Sequence, residues 1–353
     1  MIAYWPLLTI PIFALFSQVT IEKRLQIVIL KFVGLLFILF IGFRHVVGGD
    51  WIPYIQIFNE VKNIPNLESL FLIALMNDIG YVMLNYFVNS VEGNIYVVNL
   101  LSAFIFVYGL WKFILSQENP WLVLLISIPF LIYIVAMGYT RQSIAVGLIF
   151  AAIVNLQEQK KTWYWIQLML SVFFYKPAII FLMLGIFSMD ISTFKKYTAV
   201  LIFSLVSYYL LSVTFGNLVN SYVDLSKEHM VSYGAVPRVL MNAIPASILL
   251  LNLEKLQIPE STKKLFISMS WLILLTTVFV FFRSTPVDRI QVFLMPVQLL
   301  VMSRIAFLVR PVYIKQFFIV ATVVLYITML IVWLNTAKTR HAWIPYDNIL
   351  MYL

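Results

Sequence analysis

The sequence contains no cysteine. That removes disulfide scaffolds, thiol nucleophiles and cysteine-based metal sites. Charge is nearly as scarce: Asp, Glu, Lys and Arg make up 11% of the 353 residues, against about 25% in a soluble domain. Only three histidines occur. The chain has no Walker-type glycine loop, no HExxH, no GxSxG and no run of carboxylates suited to a divalent ion. A soluble globular enzyme is excluded. What is present in quantity is apolar side chain, 62% of all residues. A chain this apolar partitions into lipid rather than staying disordered.

At about 25–30 residues per span and loop, this length accommodates roughly 12–14 membrane helices. Apolar runs punctuated by charges and prolines place candidate spans near 2–19, 25–42, 94–111, 120–137, 141–156, 163–175, 177–189, 197–214, 238–253, 265–282, 290–309 and 317–334. The first of these lacks a basic flank and a small-residue cleavage site, so it reads as a span rather than a signal peptide. Segment 67–91 is interrupted by Asn77, Asp78, Asn85 and Asn89. It reads as a helix at the membrane surface or tucked into a cavity, with a true span as the alternative. The expected fold is all-α, one polytopic membrane domain over 1–353 with about 12 spans. Its outer loops fall near 43–93, 215–238 and 335–353.

The net charge of +9 suits nucleic acid, but in so apolar a chain it reads as membrane flanking charge. The connecting segments alternate. One set, running from Lys23 and Arg24 through Lys31, Lys112, Lys160, Lys264 and Arg304 to Lys315, holds 11 Lys and 3 Arg; the other holds 4 Lys and 6 Arg. The positive-inside rule assigns the first set to the cytoplasm and both termini to the outside. The outer set carries Arg44, Arg141, Arg238, Arg283, Arg289 and Arg340, with His45, His229 and His341. Arginine binds phosphate bidentately and keeps its charge when desolvated. Outward arginines at helix ends therefore point to an anionic ligand, a phosphate or pyrophosphate. The plain alternative is that each snorkels to headgroups.

Several constellations carry possible chemistry. Around Arg44, the pair Gly48 and Gly49 lets backbone approach a ligand, with Asp50 and Tyr54 close by. The same stretch also reads as a turn with Asp50 capping a helix. The run Gly138-Tyr139-Thr140-Arg141-Gln142 joins two spans with almost no loop, which sets Arg141 and Gln142 at a helix end. Lys176 lies between two apolar runs. Asp288 adjoins Arg289 and can orient it, or form a surface ion pair worth little. The stretch 215–238 adds Asp224, Glu228, His229, Tyr233 and Arg238. Asp224 and Glu228 share a helix face, but no further ligand follows, so no metal site is expected. The run from Arg340 and His341 through Trp343 to Tyr346 mixes aromatic and charged residues as sugar-binding surfaces do, and as interfacial belts do.

Arg44-x-x-x-Gly48-Gly49-Asp50-x-x-x-Tyr54, then Asp78-x-x-Tyr81, Thr140-Arg141-Gln142-Ser143, Asp288-Arg289 and Trp343-x-x-Tyr346 resemble the EpsG family of Wzy-type polysaccharide polymerases. Many relatives carry Glu at the place of Asp78, and a Phe-His-x-Ser motif where this chain has Phe174-Tyr175-Lys176-Pro177. The resemblance implies a GT-C-like membrane glycosyltransferase in the bacterial cytoplasmic membrane. It joins undecaprenyl-diphosphate-linked oligosaccharide repeats on the outer face, without cofactor or metal. Its partners are the lipid-linked donor and acceptor, membrane lipids and, where one exists, a chain-length regulator. On this reading Arg44, Arg141, Arg238, Arg283 and Arg289 hold the pyrophosphate. Asp50 is the base, with His341 second. Gly48, Gly49, Tyr54, Asp78, Tyr81, Gln142, Lys176, Tyr233, Asp288 and Tyr346 position substrate. An O-antigen ligase and a lipid-linked oligosaccharide flippase or transporter are the competing functions.

Overall fold

A computed structural model describes residues 1–17, 22–189, 232, 234–309 and 311–352, with the isolated positions 194, 198, 201 and 205. Fourteen α-helices make up the described residues, and there is no strand among them. They are α1 Trp5–Phe16, α2 Lys23–Gly42, α3 Trp51–Lys62, α4 Leu67–Met76, α5 Ile79–Ser90, α6 Ile95–Leu115, α7 Pro120–Ser127, α8 Thr140–Gln157, α9 Lys161–Phe174, α10 Ile179–Ser188, α11 Ala235–Leu251, α12 Glu260–Phe279, α13 Ser284–Leu308 and α14 Val312–Thr336. Among the described residues α2, α6, α12 and α14 are long and apolar enough to cross a membrane. The span expected at 197–214 lies almost wholly outside the described residues.

Local chemistry explains the helix starts. The Asn94 side chain accepts from the N–H groups of Tyr96 and Val97, and Asn66 and Asn119 cap α4 and α7 likewise. The stretch expected as the longest outer loop is largely helical, as α3, α4 and α5. The chain breaks at Asn77 and Asp78, so the carboxylate of Asp78 stands at a helix start instead of inside a span. The expected span 120–137 changes geometry halfway: α7 passes into a π-helix over Ile128–Ala136, immediately before the Gly138 corner. π-Geometry is rare and concentrates near functional sites.

At the centre, α8 is buried along nearly its whole length against α6. The two cross at Gly109 and Gly147. A Cβ on Gly109 would stand 1.8 Å from the Gly147 carbonyl oxygen, so backbone meets backbone there. Helices α6, α8, α11 and α13 run from one end of the bundle to the other. At their C-terminal end Lys112, from the lysine-rich set, approaches Glu158 at 3.6 Å, and Arg304 donates to the Leu256 carbonyl at 3.0 Å. The arginine-bearing set gathers at the opposite end.

Candidate active site

The loop after α2 fixes one wall of that end. Gly48 has φ +116°, and a Cβ there would meet the Met137 carbonyl oxygen at 2.1 Å. Only glycine fits. A segment from far along the chain completes the loop. The Gly48 N–H donates to the Ala342 carbonyl at 2.7 Å, the His45 N–H to Asp347 at 3.0 Å and the Ile349 N–H to Phe43 at 2.9 Å. Trp343 is fully buried, with Nε1 on the Tyr133 carbonyl at 2.8 Å and its ring against Gly49 and Gly138.

Arg44 lies inside this wall, 1% exposed. Its Nε donates to Val47 O at 3.2 Å, Nη1 to Ile41 O at 2.7 Å, and Nη2 to Asn99 Oδ1 at 3.2 Å and Thr140 Oγ1 at 2.8 Å. A guanidinium committed to these acceptors braces the loop, where the sequence reading set Arg44 on pyrophosphate. Tyr346, which the sequence reading set to position substrate, packs in the same wall. Its hydroxyl donates to the Phe40 carbonyl at 2.8 Å and its ring stacks on Phe40 at 4.2 Å, which anchors the segment. His341 is exposed, with Nδ1 3.1 Å from the Lys338 carbonyl. Among the described residues no contact joins it to Asp50.

Asp50 stands at the N-cap of α3, its N–H donating to the Gly138 carbonyl at 3.2 Å. That bond ties the loop to the corner from which α8 starts. One turn on, the Tyr54 hydroxyl accepts from the Arg141 N–H at 3.4 Å and favours the ionised form of the Asp50 carboxyl. Burial pushes the Asp50 carboxyl above the usual carboxylate range, and the charges of Arg141 and Arg289 oppose that push. Arg141 lies 5.7 Å over the Tyr54 ring and donates through Nη1 to Asp78 Oδ2 at 3.0 Å. Its Nε is buried without a partner among the described residues, and its side chain is 25% exposed.

Asp78 is 5% exposed, and its second oxygen accepts from the Lys176 N–H at 3.0 Å. Burial raises its carboxyl as well, opposed chiefly by Arg141. The Lys176 ammonium donates to the Leu75 carbonyl at 3.1 Å. Lys176 thus closes the gap between the α9–α10 turn and the α4–α5 break. Tyr81 is fully buried beneath Tyr54, rings 5.1 Å apart, and its hydroxyl has no partner among the described residues.

The other wall comes from α11 and α13. Asp288 pairs with Arg238, not with its neighbour Arg289: its oxygens accept from Arg238 Nε at 2.8 Å and Nη2 at 2.6 Å. Ser232 Oγ adds a third bond at 2.8 Å. A bidentate geometry across two helices replaces the local pair that adjacency implied. The Arg238 guanidinium also covers the Phe130 ring of the π segment at 5.2 Å. Arg289 is exposed, and the Gln142 side chain holds its carbonyl at 3.3 Å. Arg283 caps the start of α13, and its N–H donates to Phe279 O at 2.9 Å. Tyr233, Asp224, Glu228 and His229 lie outside the described residues.

The structure therefore brings together Asp50, Tyr54, Asp78, Arg141, Gln142, Lys176, Arg238, Asp288 and Arg289. The sequence reading did not single out Asn99, and it quoted Tyr139 and Thr140 within the Gly138–Gln142 run without giving either a role; Asn99 and Thr140 hold Arg44, and Tyr139 lies between the two walls. A polar residue inside an apolar run, as at Asn99, was the available signal.

The EpsG family model matches residues 27–348, nearly the whole chain. No curated protein and no solved structure matches significantly.

Proposed function

The chain belongs to the EpsG family, a family of Wzy-like polysaccharide polymerases, and from that premise we propose that it polymerises lipid-diphosphate-linked oligosaccharide repeats as a membrane glycosyltransferase. The observation that carries the reading is Asp50: a half-buried carboxylate of raised pKa at the start of α3, one turn before Tyr54 and in the field of Arg141 and Arg289. A base and a set of guanidinium groups are what this transfer requires. The acceptor hydroxyl attacks C1 of the donor sugar, and its proton passes to Asp50. The C1–O bond breaks, and its electron pair goes to the diphosphate oxygen. Arg141, through its free Nε, and the exposed Arg289 meet the developing charge. Arg283 and the Arg238–Asp288 pair form the rim. This scheme places charge neutralisation on arginines instead of a metal ion.

The orientation belongs to the same proposal. Lysines gather at one end of the bundle and the site at the other, so the positive-inside rule turns the site to the exterior of a bacterial cytoplasmic membrane. An undecaprenyl diphosphate carrier, a GT-C-like arrangement of about twelve spans and docking of a chain-length regulator complete the reading.

The test supplies purified protein in nanodiscs with lipid-linked repeats alone. A ladder of products whose lengths differ by one repeat is expected. A product that forms only when a second, different acceptor is added identifies a ligase. Transbilayer movement with no new glycosidic bond identifies a transporter.

A further inference from the structure

Tyr139 occupies the ground between the two walls, and the scheme above gives it no task. Its backbone is fixed on both sides: its N–H donates to the Val135 carbonyl at 2.9 Å, and its carbonyl accepts from the Ser143 N–H at 2.9 Å. Its ring meets Trp343 edge-on, with centroids 6.4 Å apart. The hydroxyl oxygen lies 3.7 Å from where a side chain on Gly49 would begin, which puts it beside the Asp50 backbone. One helical turn further on, Gln142 holds the carbonyl of Arg289. Asp50, Arg238, Asp288 and Arg289 all act electrostatically on the hydroxyl. Tyr139 is half-buried, and its hydroxyl bonds to no protein group among the described residues.

We infer that Tyr139 is a catalytic residue whose hydroxyl donates a hydrogen bond to the diphosphate oxygen that leaves C1 of the donor sugar. The inference rests on the polymerase reading. If Asp50 takes the acceptor proton and the arginines hold the diphosphate, C1 must sit between them, and that is where this hydroxyl points. The bond balance is that of the transfer itself. The acceptor oxygen bonds C1, the C1–oxygen bond to the diphosphate breaks with its electrons on that oxygen, and the acceptor proton goes to Asp50. Tyr139 keeps its proton throughout. Burial raises the pKa of the phenol and so opposes its ionisation, and the hydroxyl stays a donor at neutral pH. A neutral donor aimed at developing charge in a water-poor site contributes most in the transition state.

Tyr139→Phe removes the hydroxyl and keeps the ring against Trp343. Initial rates of ladder formation should be measured for wild type and variant across donor concentration and across pH. The expected result is a fall in kcat of about 100-fold, the usual effect of deleting one such donor. KM and the acid limb assigned to Asp50 should stay in place, as should the thermal midpoint. A Tyr139→Phe enzyme with wild-type kcat, or one whose loss lies wholly in KM, overturns the assignment while the polymerase reading stands. A wild-type protein that makes no ladder overturns both.

Discussion

One added methyl group at Gly109 should disable the site from the middle of the membrane. In Gly109→Ala the new carbon would begin 1.8 Å from the Gly147 carbonyl oxygen, whereas ordinary contact starts at 3.4 Å. Relief requires α6 and α8 to part by about 1.5 Å, the difference between those distances. Neither backbone can rotate away as a side chain would, and α8 is buried along most of its length. Overpacking of this kind costs about 1–3 kcal/mol, and a backbone-to-backbone clash belongs at the upper end. Arg141 lies six residues before Gly147, about 9 Å up the helix. A shift of α8 by about 1.5 Å takes its 3.0 Å bond to Asp78 out of hydrogen-bonding range. Misplacement of about 1 Å at a reacting centre lowers rates by about 100-fold. The assay pairs thermal unfolding in detergent with ladder formation, and Phe104→Ala, on the exposed face of the same helix, serves as control. Gly109→Ala should reach the membrane, unfold at lower temperature than the control and lose about two orders of magnitude in rate. Equal midpoints and equal rates would refute the argument.

The remaining expectations concern the site directly. Asp50→Asn should bind lipid-linked donor normally and extend nothing; near-normal extension by this variant removes Asp50 as base. In wild type, activity should rise with pH through a limb above the ordinary carboxylate value of about 3.9, because burial raises the carboxyl and only the ionised form accepts a proton. A limb at or below that value contradicts the assignment. Arg141→Lys keeps the charge but loses the planar fork that serves Asp78 and the diphosphate together, so its rate should fall by about 100-fold or more; a wild-type rate rejects the cradle. Ladder formation should survive excess chelator, and a loss restored by one divalent ion would show otherwise. A cysteine placed at Asn63 should react with an impermeant reagent from outside and one at Gln159 should not; the reverse labelling inverts the topology.

The helical class and the two-ended distribution of charge were legible in the sequence because both follow from composition. Apolar runs mark helices, and lysine and arginine fall in alternate connecting segments. The candidate residues were legible as short strings, but their partners were not. Asp288 adjoins Arg289 in sequence yet bonds Arg238, fifty residues away, because helices α11 and α13 lie side by side. Arg44 looked like its fellow arginines. Its burial depends on Asn99, Thr140 and a carbonyl of the helix that precedes it, and no local pattern announces that set. Within the outer stretch 43–93 only 67–91 read as helical, and the apolar faces there are short and broken by asparagine. The structure folds the whole stretch into three helices that bring Asp78 within 3.0 Å of Arg141. The π segment was illegible for a related reason: apolar periodicity fixes that a helix forms, not how tightly it winds.

The strand-like meeting of Arg44 with Asn348, and the seating of Trp343 beneath Tyr4, impose an order on the making of the protein. Residues 342–349 emerge from the ribosome roughly 300 residues after the loop they complete, an interval of about 15–60 s at bacterial rates of synthesis. Throughout that time the Gly48 N–H lacks the carbonyl that later receives it, and the Asp50 turn has no floor. A nascent chain already carrying every arginine of the site is therefore still without the geometry to use them. The geometry of the Asp50 turn is complete only when residues 342–349 have joined the loop after α2.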